Sequence, residues 1–133
     1  MERRAMAAIK RFEDIKAWQE ARALTRMVYS VSTQGAFAKD CRLRGQIQGS
    51  AISVMSNIAE GFDTRTDAEF ISFLGYARRS ATELQSQLYI ARDQSYISQE
   101  EFDTLYAQAT KIKGLIGGFI RYLNGRSNTR RRT

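Results

Sequence analysis

Apolar residues along this chain fall into four stretches with steps of three and four, the spacing that lines up side chains on one face of an α-helix. In the first, Ile15, Trp18, Ala21, Leu24 or Thr25, Val28 and Val31 share a side, between a candidate cap at Asp14 and a stop at Ser32-Thr33-Gln34-Gly35. The second places Leu43, Ile47, Ala51, Val54 and Ile58 on one face, after a candidate cap at Asp40 and before Gly61, where the left-handed turn past a helix end is expected. The third, Phe70, Leu74, Ala77, Ala81, Leu84, Leu88 and Ala91, is a heptad seam opened by Thr66 and Glu69 at the spacing of a capping box. Ser98 and Glu101 repeat that box ahead of Phe102, Leu105, Ala109, Ile112, Ile116, Phe119 and Leu123. The predicted helices span 14–33, 40–61, 66–95 and 98–124. Short connections make consecutive helices antiparallel, so the expected fold is all-α, an up-down-up-down four-helix bundle over 12–124. A basic N-terminal segment (1–11) and a basic flexible tail (125–133) flank this one domain.

A second periodicity runs beside the first. Gln46, Ser50, Ser53, Asn57 and Glu60 follow the apolar stripe of the second helix at the same steps, and Tyr76, Ser80, Glu83 and Gln87 form a polar stripe on the third. Facing one another, these stripes would make a network of Gln46, Ser53, Asn57, Glu60, Ser80 and Glu83 that fixes the register of two helices, provided every member is satisfied. The alternative is a solvated polar face. Glu60 stands in a last helical turn, where the helix dipole disfavours an anion by roughly 0.3–1 kcal/mol, so a partner is expected for it. Apolar residues also lie off the seams: Ile52, Met55, Ile71, Tyr76, Tyr89, Ile90, Tyr106, Leu115, Ile120 and Tyr122. They fit a subunit interface, or else wide helix faces that bury them internally.

Composition narrows the chemistry. The chain has no histidine, one cysteine and no proline in 133 residues. Without histidine the commonest general base and most zinc and di-iron ligand sets are gone. Glu60, Glu69 and Glu83 alone are too few to hold a metal, so no catalytic residue, metal or cofactor is expected. Cys41 has no partner for a disulfide, which suits a reducing compartment, and no apolar run resembles a signal peptide or a membrane span; a cytoplasmic location is expected.

The net charge of +7 resides at the two ends: +3 over residues 1–11 and +4 over 125–133, leaving 12–124 neutral. Arg3, Arg4, Lys10, Arg11, Arg126, Arg130, Arg131 and Arg132 are therefore the candidate nucleic-acid contacts, with Arg22, Arg26, Arg42, Arg44, Arg78 and Arg79 as further patches on the body. A purely solubilising role for the charged ends is the plainer alternative. No RNA-recognition signature, stacking platform or helix-turn-helix cue is visible, so binding is expected to be driven by charge and shape.

Several blocks together resemble a family of small bacterial four-helix-bundle proteins, those encoded in intervening sequences of 23S ribosomal RNA and, more distantly, the accessory variability protein of diversity-generating retroelements. The blocks are Phe12-Glu13-Asp14-Ile15-Lys16-Ala17-Trp18-Gln19-Glu20-Ala21, Leu43-Arg44-Gly45-Gln46-Ile47, Ser53-Val54-Met55-Ser56-Asn57-Ile58-Ala59-Glu60-Gly61, Glu69-Phe70-Ile71-Ser72-Phe73-Leu74 and Ala77-Arg78-Arg79-Ser80-Ala81-Thr82-Glu83, followed by Tyr96-Ile97. The chain departs from the family at Ala38 and Met55, where prolines are common, and at Arg79 and Ser95, where glycine is usual. The resemblance implies a bundle without enzymatic activity that assembles, commonly as a homopentamer. The retroelement relative implies nucleic acid and a reverse transcriptase as partners. Joined to the charged ends, this predicts a charge-driven RNA-binding accessory factor linked to a ribosomal RNA intervening sequence or a reverse transcriptase. The alternative is an oligomeric protein-protein scaffold with no nucleic-acid role.

Overall fold

The computed structural model describes residues 8–132, with side chains as far as Arg126. A single 3₁₀ turn, Phe12–Asp14, leads into α1 (Lys16–Ser32); a short α2 (Gly35–Lys39) precedes α3 (Cys41–Phe62), α4 (Asp67–Asp93) and α5 (Gln99–Arg132). The four long helices carry the seams read from the sequence. Every seam residue named for the second, third and fourth predicted helices is buried. Along the first seam, Ile15 ahead of α1 and Ala21, Leu24 and Val28 within it are buried, joined by Ala17 and Ser32, while Trp18, Thr25 and Val31 sit at the edge.

The caps divide between expected and unexpected. The Asp40 carboxylate accepts the Leu43 N–H at 3.1 Å, and the Thr66 hydroxyl accepts the Glu69 N–H at 3.1 Å. Ser98 and Glu101 form the full reciprocal box, each side chain accepting from the other's backbone N–H at 3.0 and 2.8 Å. Asp14 does not cap α1. It ends the 3₁₀ turn and accepts the Lys10 N–H instead, leaving Ile15 at the cap position with no side-chain bond. Ser95 takes φ 60°, the left-handed turn in which glycine would be easier.

Gly61 corrects another expectation. It lies inside α3, not beyond its end, and only Gly35 and Ser95 have positive φ among the described residues. Its small size is what matters: a Cβ at Gly61 would stand 2.8 Å from both Phe70 Cδ1 and Phe73 Cβ, so α3 and α4 close to a distance only glycine permits. The last helix also exceeds its predicted limit at 124, because no proline interrupts it and arginines near a helix C-terminus favour the dipole. Its backbone is helical through 125–132, the stretch expected to be a flexible tail.

Cross-helix pairs give the topology. Between α3 and α4, Ser50 meets Glu83, Ser53 meets Ser80 and Gly61 meets Phe70, so rising numbers on one helix run against falling numbers on the other. The same holds for α4 and α5, where Asp67 meets Arg126, Phe70 meets Phe119 and Tyr89 meets Phe102. Thr25 with Ala51 and Ser32 with Gln48 join α1 to α3, and Glu20 with Gln108 closes α1 onto α5. Four antiparallel helices thus form a closed ring around one core. Of the off-seam apolar residues, Met55, Ile71, Tyr106, Leu115, Ile120 and Tyr122 pack partly buried against that core, whereas Ile52, Tyr76, Tyr89 and Ile90 stay exposed.

Candidate functional site: a polar seam and a basic pole

The polar stripes of α3 and α4 do face each other. Ser53 and Ser80 share a hydroxyl-hydroxyl bond at 2.8 Å, the Asn57 amide donates to the Ser53 hydroxyl at 2.9 Å and to the Ser53 carbonyl, and Ser50 donates to Glu83 at 3.0 Å. Four of the six expected members, Ser53, Asn57, Ser80 and Glu83, therefore form the network. Ser50 belongs to it as well, buried where the two helices come together.

Gln46 and Glu60 do not. Both are exposed, and among the described residues neither has a hydrogen-bond or ion-pair partner. For Glu60 the expected partner is absent because its carboxylate points into solvent, where hydration offsets the unfavourable dipole. The seam ends on an imperfection at Gln87, whose amide oxygen is buried without a partner. The arrangement consists of neutral hydroxyls, one amide and one exposed carboxylate, with no base placed to activate a nucleophile. It is suited to holding two helices in register.

Charge gathers elsewhere. Ile9 lies beside Phe62, Phe70, Tyr122, Leu123 and Arg126, so the start of the described chain and the end of the core-facing part of α5 share one pole of the bundle. Lys10 and Arg11 line a groove at that pole with Phe12, Glu60, Phe62 and Asp63. Arg65 and Arg121 lie near the same pole, exposed and without an acidic partner among the described residues.

The predicted contact residues meet different fates. Lys10 is exposed, with its ammonium unpaired; Arg11 is exposed and makes long ion pairs with Glu13 and Asp14 at 3.7 and 3.8 Å. Arg126 is committed to structure. Its guanidinium donates two bonds to the Asp67 carboxylate, at 3.1 and 2.6 Å, and that pairing raises its pKa further. Sequence reasoning missed Asp67 because the partners lie 59 positions apart. Arg3 and Arg4 lie outside the described residues, as do the side chains of Arg130, Arg131 and Arg132.

One further charged cluster is mechanical. Glu20 on α1 accepts from Gln108 at 3.0 Å and pairs with Lys16 and Lys111 at 3.1 and 3.2 Å, which together lower its pKa to about 2. Among the described residues no group of three or more cysteine, aspartate or glutamate side chains could hold a metal ion, and no helix is long and apolar enough to cross a membrane.

Fold and site together define a small antiparallel four-helix bundle with a polar seam between α3 and α4 and charges of both signs at one pole. The sequence profile described as "23S rRNA-intervening sequence protein" matches residues 13–118, and the chain belongs to that family. Among solved structures it is similar to a protein of unknown function from the S23 ribosomal protein family of Bacteroides thetaiotaomicron, with a TM-score of 0.72 and 24% identity, over 79% of this chain and 95% of that one. That likeness concerns the fold. No curated protein matches the chain.

Proposed function

We propose that this protein is a non-enzymatic, cytoplasmic RNA-binding accessory factor whose affinity comes from phosphate contacts at the basic pole. The observation that carries the reading is that Lys10 and Arg11 lie at the same pole of the bundle as Arg121 and Arg126. Ile9, next to Lys10 and Arg11, lies beside Phe62, Tyr122 and Arg126, so the start of the described chain and the last described side chains of α5 share one pole. Lys10 and Arg11, which the sequence separates from Arg121 by most of the chain, thus share that end of the bundle, and a polyanion meeting it would face them together. The family's description names a 23S rRNA intervening sequence, which supports a reading with RNA as partner in a ribosomal system, and the reverse-transcriptase link rests on the resemblance alone.

Self-association belongs to the same reading. Ile52, Tyr76 and Ile90 are exposed on α3 and α4, and a homo-oligomer, with five subunits as the family resemblance implies, would cover them and multiply weak phosphate contacts through avidity. The same exposed residues support the second reading, a protein-protein scaffold. Filter binding of RNA across a salt series separates the two. A chain truncated after Arg126 retains the Asp67 pair and loses three arginines, so its log-log salt slope should flatten by about 0.7 per lost single-strand phosphate contact. RNA affinity indifferent to salt and to this truncation would exclude the charge-driven reading, and light scattering reports the subunit number independently.

A further inference from the structure

Resting on the RNA-binding reading, we infer that the ligand is single-stranded and lies along the groove between α4 and α5, with an unpaired base stacked at Tyr89. Three observations meet there. The first is an aromatic cluster that neither helix shows by itself. Tyr89 of α4 is 54% exposed, yet its ring is braced edge-on by Phe102 at 4.9 Å and by Tyr106 at 6.1 Å, and Phe102 and Tyr106 stack on one another. A large aromatic ring both held in place and open to solvent is a platform for a base.

The second is a set of cations without acidic partners along the groove. After Asp103 the sequence shown contains no acidic residue; of the α5 cations, Lys111 turns to Glu20 on α1 and Arg126 is paired with Asp67, which leaves Lys113 and Arg121 for the groove. Gln85 locates the groove: it donates to the Thr110 hydroxyl at 2.9 Å and accepts from the Lys113 ammonium at 3.1 Å. Arg78, two helical turns before Gln85 on the same face of α4, is exposed with no acidic partner, and so is Arg121, three turns beyond Thr110 on α5. Arg78, Lys113 and Arg121 therefore mark a path from the aromatic cluster toward the basic pole.

The third is backbone access. Gly114 has nothing near the position of a Cβ, and Gly117 only the end of Arg121, so no internal contact calls for glycine at either site. Glycine within a helix is destabilising by about 1 kcal/mol relative to alanine. A smooth stretch of α5 facing the path leaves room for a sugar-phosphate chain.

An A-form duplex keeps its bases stacked inside and cannot place one on Tyr89, so the arrangement favours single strands. The test is fluorescence anisotropy with a labelled oligouridylate and a duplex RNA of equal length, at fixed salt. Wild type should prefer the single strand. Tyr89→Ala, at an exposed site where the fold is checked by thermal melting, should weaken oligouridylate binding about tenfold and leave duplex binding unchanged. Tyr89→Trp should retain the preference, and Lys113→Gln should weaken both RNAs. Equal affinity of wild type for both RNAs, or unaltered oligouridylate binding by Tyr89→Ala, would overturn the groove assignment while leaving the basic pole in place. Wild type binding neither RNA would remove the RNA reading itself and this inference with it. Competition by polyglutamate as strong as that by oligouridylate would mark the groove as a surface for acidic protein and also overturn the assignment.

Discussion

The α3–α4 interface and the α1–α5 interface join helices of the same bundle by opposite means. Across α3–α4 the contacts are made by small side chains: Ser53 with Ser80, Ser50 with Glu83, and Gly61 pressed against Phe70 and Phe73. Across α1–α5 the polar contacts are made by long side chains around a charge, with Glu20 held by Lys111 and Gln108 of α5, and an open groove of about 750 Å³ lies between the helices farther along, lined by Met27, Val31 and Leu105. One pair is positioned by shape and the other by charge. Shape-set contacts respond to volume and scarcely to salt or pH, whereas charge-set contacts respond to both.

The largest test of that contrast is Gly61→Ala. Alanine for glycine inside a helix ordinarily stabilises by about 1 kcal/mol. Here the added methyl meets Phe73 Cβ, which cannot swing away, and the expected result is a loss of about 1–3 kcal/mol in denaturant unfolding. A gain in stability would show that α3 and α4 are not so closely set.

Next in size is Asn57→Ala, which removes the donor to Ser53 and leaves that hydroxyl with Ser80 alone. A loss of about 1 kcal/mol in the melt, or a changed native mass, is expected; an unaltered melting temperature together with an unaltered mass would refute the register role.

The smallest change is Glu20→Gln at neutral pH, about 1 kcal/mol or less, because the pairs are partly solvated. Its signature is pH dependence. The folded carboxylate has a pKa of about 2 against 4.5 for the free side chain, so protonation favours the unfolded chain. The contribution is complete above about pH 4.5 and disappears as pH falls through 2. Melting temperatures of wild type and variant should converge over that interval, and added salt should narrow their difference at pH 7. The Asn57→Ala deficit should follow neither variable.

Much of the fold was legible because its determinants are local. A buried stripe such as Leu84, Leu88 and Ala91 declares itself within two turns, and Asp40, Thr66 and Ser98 lie three residues from the groups they cap. The facing of the two polar stripes was legible too, since antiparallel neighbours leave few registers. Contacts that depend on the partner's outline were not. Gly61 reads as a helix stop in sequence, and only the proximity of Phe70 shows that size is its role. Arg126 reads as part of a free tail until α4 brings Asp67 to it, and Tyr89 is a lone aromatic until α5 braces it. Glu60 failed for the opposite reason: a local electrostatic argument called for a protein partner where water suffices.

The closure of α1 onto α5 has a consequence for how the protein is made. Gln108 reaches back 88 positions to Glu20, so the contact uniting α1 with α5 cannot form until α5 has been synthesised. During translation α1, α3 and α4 form an open trough, with Leu24, Leu74 and Leu84 facing the space that Ile112 and Ile116 later fill. A nascent chain stalled before Ile112 would therefore present a continuous apolar surface to chaperones and to other nascent chains.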